Sequence, residues 1–203
     1  MICGKGGMLR APSCRDTGGV TPAYLYYTAT TLDGFLADEH DGLDWLLSQP
    51  LTQGSLLDYD SFYARVGALV MGRSTYEWIL DHPAEQFADT AGWPYDRPTF
   101  VFSHRDLQPA AETVSIISGS PQEHHEQIAA AAGDGAVWIV GGGSLAAEFA
   151  RAGLLDEVLV SIAPVTLGSG KPLLGGAFDL ELLEHGRNQA FLEARYRVVG
   201  ERP

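Results

Sequence analysis

Three stretches of this 203-residue chain place glycines, hydroxyls or basic side chains directly behind short apolar runs, a combination suited to holding anions. In VWIVGGGSLAAEF the apolar run 137 to 140 ends in Gly141, Gly142 and Gly143 and continues through Ser144 and Leu145 into a helical stretch. Glycines at such a turn let backbone N–H groups approach a ligand closely, and the helix N-terminus adds partial positive charge. A phosphate or pyrophosphate is the group this arrangement accommodates. Gly141, Gly143 and Ala146 also satisfy the G-x-G-x-x-G/A spacing of dinucleotide-binding turns. Against that version, the motif sits late in the chain, and the next apolar run, 157 to 163, ends without an acid to hold a ribose. A turn that only lets strand and helix pack closely is the plain alternative.

The second stretch is MGRSTYE. Gly72 permits close backbone approach, Arg73 supplies a fixed fork of donors, and Ser74 or Thr75 can cap a helix. The third is VFSHR, in which Ser103, His104 and Arg105 follow another strand end. If the strand ends lie side by side, Arg73, Ser103 and Arg105 surround one dianionic group. Arg73 at a capped helix start has an ordinary surface role as the alternative.

Positioning these residues requires strands that end where the turns begin. YLYYTATT is aromatic and β-branched and breaks at Asp33-Gly34. The run 68 to 72, TFVF and VWIV read as buried strands, TVSII as a further strand, and 75 to 80, 124 to 132 and 144 to 152 as helices, with Gly153 as a C′ residue. Tyr59, Phe62, Tyr63 and Val66 have helical spacing. EVLVSIAPVTLG reads as one long strand, and from Phe191 the tail alternates, with Leu192, Ala194, Tyr196 and Val198 facing inward and Glu193, Arg195 and Arg197 outward. Strands alternating with helices and closed by antiparallel strands predict a three-layer α/β domain with a mixed, mostly parallel sheet over residues 23–203. Residues 1–22 have no period and read as a flexible extension.

Composition narrows the function classes. A charge of −13, from 13 Lys and Arg against 26 Asp and Glu, repels nucleic acid over most of the surface. No apolar run is long enough to span a bilayer, so a soluble, cytoplasmic protein is expected. Cys3 and Cys14 form neither a disulfide framework nor a zinc site, and no metal is expected. His124-His125-Glu126 contains H-x-E but no P-C-x-x-C accompanies it, which excludes a zinc deaminase in this chain. No G-x-S-x-G nucleophile turn occurs.

LDGFLA, the helix bearing Phe62, VMGRSTYE, WPYDRPTFVFSHR, VWIVGGGSL, LDEVLVSIAPVTLGSGKPLL and a C-terminal antiparallel hairpin follow one another in an order that resembles the dihydrofolate-reductase-like superfamily. The branch containing the reductase domain of the bifunctional riboflavin-biosynthesis deaminase/reductase is the most similar. The resemblance spans about residues 24 to 199 and implies a dihydrofolate-reductase-like fold that binds NADPH across the strand ends. It implies that Ala29 and Leu36 lie near the nicotinamide and Gly72, Arg73, Ser74 and Thr75 near phosphates. Ser103, His104 and Arg105 would lie near the 2′-phosphate, and Gly141 to Leu145 near the pyrophosphate, with Gly141-Gly142 a candidate cis peptide.

Hydride transfer to a C=N or C=O carbon of a small heterocyclic or ribosylamino substrate is the implied activity. Asp58, with Asp60 as the alternative, aligns with the carboxylate that dihydrofolate reductases place on their first helix; an ordinary acid in a first helical turn is the competing role. Asp33 and Trp45 are candidate substrate contacts. Asp33 has turn support as its competing role, and Trp45 either walls a pocket or anchors the loop from 38 to 45. Reduction of a pterin or folate is the enzymatic alternative, and a cofactor-binding regulatory protein is the alternative of another class, favoured if Trp45 and Tyr27 fill the substrate cleft. Relatives in the riboflavin pathway make a homodimer the expected assembly.

Overall fold

β1 (Tyr24–Thr31) forms from the aromatic and β-branched run and turns at Asp33-Gly34 into the short β2 (Phe35–Ala37). The computed structural model describes residues 21–50, 54–82 and 92–203. The expected extension, Cys3 and Cys14 included, therefore falls outside the described residues apart from Thr21 and Pro22. After α1 (Asp44–Leu47) and α2 (Tyr59–Tyr63), the chain alternates strand and helix: β3 (Val66–Gly72), α3 (Arg73–Asp81), β4 (Thr99–Phe102), β5 (Val114–Ile117), α4 (Pro121–Ala132), β6 (Ala136–Gly141), α5 (Gly143–Arg151) and β7 (Glu157–Ala163). Two-residue β8 (Lys171–Pro172) pairs with β2, and the hairpin of β9 (Phe178–Asn188) and β10 (Phe191–Glu201) closes the domain.

The main sheet has the order β5-β4-β3-β6-β1-β7-β10-β9. β5 through β7 are parallel, and β10 and β9 are antiparallel additions. From β1 the chain builds outward through β3, β4 and β5, and β6 then inserts beside β1 before β7 continues on its other flank. A crevice opens outside the carboxyl ends where the winding direction changes, between β6 and β1.

Helices cover both faces, which is why the parallel strands read as continuous apolar runs. On one face Val137, Ile139 and Tyr26 pack with Ile128 of α4 and Phe149 of α5. On the other, Leu69, Met71 and Trp138 pack with Phe62 of α2 and Tyr76 and Ile79 of α3. A single fully buried ring such as Phe149 contributes about 3 to 5 kcal/mol by the usual cost of truncation to Ala. Gly153 ends α5 as expected: it adopts φ of 66°, its N–H donates to Ala150 and that of Leu154 donates to Phe149, a Schellman closure.

Three expectations change. The helix at 59–66 stops at Tyr63, because the Arg65 carbonyl accepts from Ala136 N–H and Val66 pairs with Ala136 in the sheet; a helical spacing continues by chance into a strand. The long strand from 157 ends at Ala163, just before Pro164, which has no N–H to give a ladder. In β10, Leu192 is half exposed whereas Glu193 is only 1 % exposed. β10 lies between β7 and β9 with both faces partly covered: Ala194, Tyr196 and Val198 meet the α5 side, and the segment 54–57 covers Glu193 on the other.

Candidate active site

A cleft of about 1240 Å³ runs across the carboxyl ends of the strands, from Ser103 and His104 after β4 to Ser161 on β7 and Glu193 on β10. It exceeds the roughly 300 to 1,000 Å³ of a pocket for one drug-sized ligand. Its middle is formed by two helix starts. α3 begins at N-cap Gly72 with Arg73, Ser74 and Thr75 in its first turn; α5 begins at N-cap Gly142 with Gly143, Ser144 and Leu145. All of these residues, and Gly141, line the cleft.

First-turn N–H groups have no partner inside a helix and ordinarily receive a side-chain cap. Two of the described helices have one: Asp58 caps α2, and Ser120 with Glu123 forms a capping box on α4, whereas α1, starting after Leu43, has none. α3 and α5 have glycine N-caps and no side-chain cap bond, and their first turns line the cleft. A Cβ on Gly142 would meet no atom within 4 Å, whereas one on Gly143 would lie 2.2 Å from the Pro172 carbonyl oxygen. Gly142 thus borders open space and Gly143 the docked segment after β8, whose Gly175 N–H bonds the Gly143 carbonyl. The Gly141-Gly142 peptide is cis. These features fit a pyrophosphate-bearing nucleotide: two helix starts without side-chain caps and a glycine surface without side chains.

The basic residues are less available than their positions in the sequence suggest. Arg73 lines the cleft, yet its Nη1 is 2.5 Å from Glu77 one turn along α3. Ser103 is buried, and its hydroxyl both accepts from the Arg105 N–H and donates to the Arg105 carbonyl, so it shapes the turn. His104 lines the cleft and is exposed; the Arg105 side chain is exposed and outside the lining.

Ala29 and Leu36 both line the cleft, on adjacent strands β1 and β2. Leu43, Leu46 and Leu47 supply an apolar wall around α1. Trp45 turns the other way: it is 8 % exposed and packs with Ala163 and Phe191, so it anchors the loop and does not wall the cleft. Asp33 also lies outside the lining and staples its turn to the loop after β7, accepting from the Thr31 hydroxyl and from Leu167 and Gly168 N–H groups. The Thr31 bond, then those backbone bonds, hold its carboxyl below the usual range.

Asp58 and Asp60 both line the cleft. The Asp58 oxygens accept from Gly54 N–H at 2.9 Å and Ser61 N–H at 3.0 Å, which lower its pKa and commit it to capping α2. Asp60 is exposed on the first turn of that helix.

With this geometry in place, comparison with known proteins is informative. Residues 23–189 match the model of the RibD C-terminal domain. The chain belongs to the RibD C-terminal domain family. The Bacillus subtilis protein YwjB, uncharacterised, is 32% identical over 150 residues, covering 73% of this chain and 80% of its own. The riboflavin biosynthesis protein RibD of Mycobacterium tuberculosis is 28% identical over 153 residues, 72% of this chain but 43% of that protein. Among solved structures, a putative riboflavin biosynthesis protein from Shewanella sp. PV-4 aligns with a TM-score of 0.71 at 26% identity, covering 87% of this chain and 98% of that one. The dihydrofolate reductase of Enterococcus faecalis, solved with NADP(H), shares the fold at a TM-score of 0.57 and 17% identity, over 88% and 98% of the two chains. The fold is dihydrofolate-reductase-like.

In this RibD C-terminal domain the cleft also holds aromatic and acidic residues that were not among the expected cofactor or catalytic positions. Tyr27, Tyr59, Tyr63, Tyr95 and Trp138 form an aromatic wall, with Tyr59 stacked on Tyr63 at 5.7 Å and Trp138 edge-on to both. The Trp138 indole donates to the Tyr27 carbonyl at 3.0 Å, and the Tyr27 hydroxyl to the Leu57 carbonyl at 2.8 Å, so the wall is fixed. Burial and the neighbouring Asp60 push the Tyr59 phenol up to about 12, which leaves it a protonated donor at neutral pH. Glu193 accepts from the Ser55 hydroxyl at 2.9 Å and Leu57 N–H at 3.1 Å. The sequence offered Tyr59 and Tyr63 through a helical spacing and Tyr27 as a possible filler of the cleft, but held no signal for Tyr95 or Trp138 as lining, and the alternation of β10 pointed Glu193 to solvent.

Proposed function

We propose that the protein is an NADPH-dependent reductase that delivers hydride to a C=N or C=O carbon of a small heterocyclic or ribosylamino substrate. The observation that carries this reading is the pair of glycine-capped helix starts, α3 and α5, opening on one cleft without side-chain caps. When bound, the nicotinamide supplies the hydride, and the protein supplies position and electrostatics. The α3 and α5 amides would hold the phosphates. Ala29 and Leu36, on the β1–β2 side of the same cleft, leave a surface on which a flat ring can lie.

The aromatic wall lines the same cleft and would border the substrate. Neither Trp45 nor Tyr27 fills the cleft, since one packs inward and the other is tied to the wall; this favours an enzyme over a cofactor-binding protein without turnover. The pterin alternative relied on Asp58, whose carboxylate serves as the N-cap of α2 and also accepts from Gly54 N–H.

The reading is tested by titrating NADPH into the protein by calorimetry and then screening metabolites for loss of nicotinamide absorbance. Binding followed by turnover of a C=N or C=O compound is expected. Absence of NADPH binding to folded protein refutes the assignment.

A further inference from the structure

The register of the sheet joins the cofactor side of the cleft to a buried acid. Ala29 on β1 pairs with Ser161 on β7, and Ser161 pairs with Glu193 on β10. Residues directly opposite one another in successive strands share a face, and strands lie about 4.8 Å apart, so Glu193 stands roughly 10 Å from Ala29 along this row. That distance is about the width of a small bicyclic ring. All three residues line the cleft.

Glu193 is an unusual residue to find there. It is 1 % exposed, and its hydrogen-bond donors, the Ser55 hydroxyl and the Leu57 N–H, are neutral. Burying a carboxylate without a cation is costly. Arg195, two residues along β10, does not offset this cost: its guanidinium is engaged by Glu157 at 3.0 Å and Glu184 at 3.2 Å. A carboxylate has about four acceptor sites, of which these neutral donors use two. Asp58 and Asp60 line the same cleft, whose lining cations are each paired, Arg73 with Glu77 and Lys171 with Asp41, while Arg65 and Arg195 line a smaller cavity on the other side of Ser55 and Leu57. The Tyr27 phenol is raised by burial first and then by the charge of Glu193.

We infer that Glu193 is the specificity-determining carboxylate of the substrate end, reading a planar ligand that presents paired N–H donors or positive charge on the edge away from the nicotinamide. This rests on the reductase reading for the position of the nicotinamide, and it adds the polarity of the substrate. A ligand carrying an anionic group on that edge is disfavoured. A strap that only pins the segment 54–57 to the sheet is the competing role.

Benzamidine and benzoate separate these roles, since they have nearly the same shape and opposite charge. With NADPH saturating the full-length protein, calorimetry or ligand-observed NMR is expected to show benzamidine binding at least about tenfold tighter than benzoate. In Glu193→Gln this preference should fall by about tenfold or more, the equivalent of one charge-assisted hydrogen bond, with NADPH affinity retained. An unchanged ratio in the folded variant, or no benzamidine binding by the wild type, overturns the inference.

If Glu193→Gln does not fold, Ser55→Ala decides. Removing a neutral donor frees an acceptor site and should tighten benzamidine severalfold, whereas unchanged affinity leaves only the strap. The two ligands are also titrated without cofactor, so that a failure to bind NADPH counts against the reductase reading alone and the preference for benzamidine still judges Glu193.

Discussion

Substituting the adjacent glycines Gly142 and Gly143 separates ligand binding from folding within one turn. The Cβ of Gly142→Val enters space with no protein atom within 4 Å, at the start of α5, where the proposed reading seats a phosphate. Charge-assisted hydrogen bonds contribute about 1.5 to 3 kcal/mol each, so losing one such contact weakens NADPH by roughly 10- to 150-fold. The Cβ of Gly143→Ala meets the carbonyl oxygens of Pro172 at 2.2 Å and Leu173 at 2.6 Å, both backbone atoms that cannot swing away. Overpacking of this kind costs about 1 to 3 kcal/mol, which in a domain of this size lowers Tm by roughly 2 to 12 °C. Calorimetric titration and thermal melts read the two effects independently. Wild-type NADPH affinity in folded Gly142→Val refutes the phosphate seat; an unshifted Tm in Gly143→Ala refutes the docking of the segment after β8.

Glu77→Gln should release Arg73 for a ligand phosphate and tighten NADPH severalfold more than NADH, measured by competitive titration; equal changes would assign Arg73 to a phosphate that both cofactors share. Asp33→Asn should lower Tm at neutral pH. Because the folded pKa of Asp33 is depressed, its stabilisation is present above the ordinary carboxylate value of about 4 and disappears as pH falls through the folded value, so melts of the two proteins should converge in acid. Light scattering should give a mass of twice 21.8 kDa, since the edge strand β9 exposes Leu180, Leu182 and Leu183; a single-chain mass across working concentrations refutes the homodimer.

The parallel core and the turns that bear Gly72 and Gly141 to Gly143 were legible in the sequence because both are local signals: a short apolar run covered on both faces, then residues that permit close approach. Trp45 and Glu193 were not, for one shared reason. Which way a side chain faces depends on what covers it, and that cover comes from distant segments: Phe191 and Ala163 over Trp45, Ser55 and Leu57 over Glu193. Alternation along β10 predicts two faces correctly but assigns solvent to the wrong one at Glu193, since a loop more than a hundred residues earlier lies across it. Arg105 shows the converse. Its spacing after β4 suggested a ligand, yet its backbone pairs with Ser103, and this turn leaves the side chain outside the cleft.

An acidic protein can bind a polyanionic cofactor if the attraction comes from dipoles fixed close to the ligand and not from net charge. At −13, long-range repulsion disfavours approach, and that repulsion weakens once the separation passes the Debye length of about 8 Å at physiological salt. Within that range the amides at the starts of α3 and α5 act at hydrogen-bond distance, and they carry no counter-ions to shed. Among the described residues, Arg73 is the one arginine in the cleft lining and is balanced by Glu77, and Lys171 there is paired with Asp41, so the seat is locally near neutral. The substrate end has the opposite bias, with Glu193 buried and Asp58 and Asp60 nearby. On the proposed reading, a cleft with two helix starts at its centre and acids at one end would orient two ligands of different polarity relative to one another, which is the positional requirement of hydride transfer.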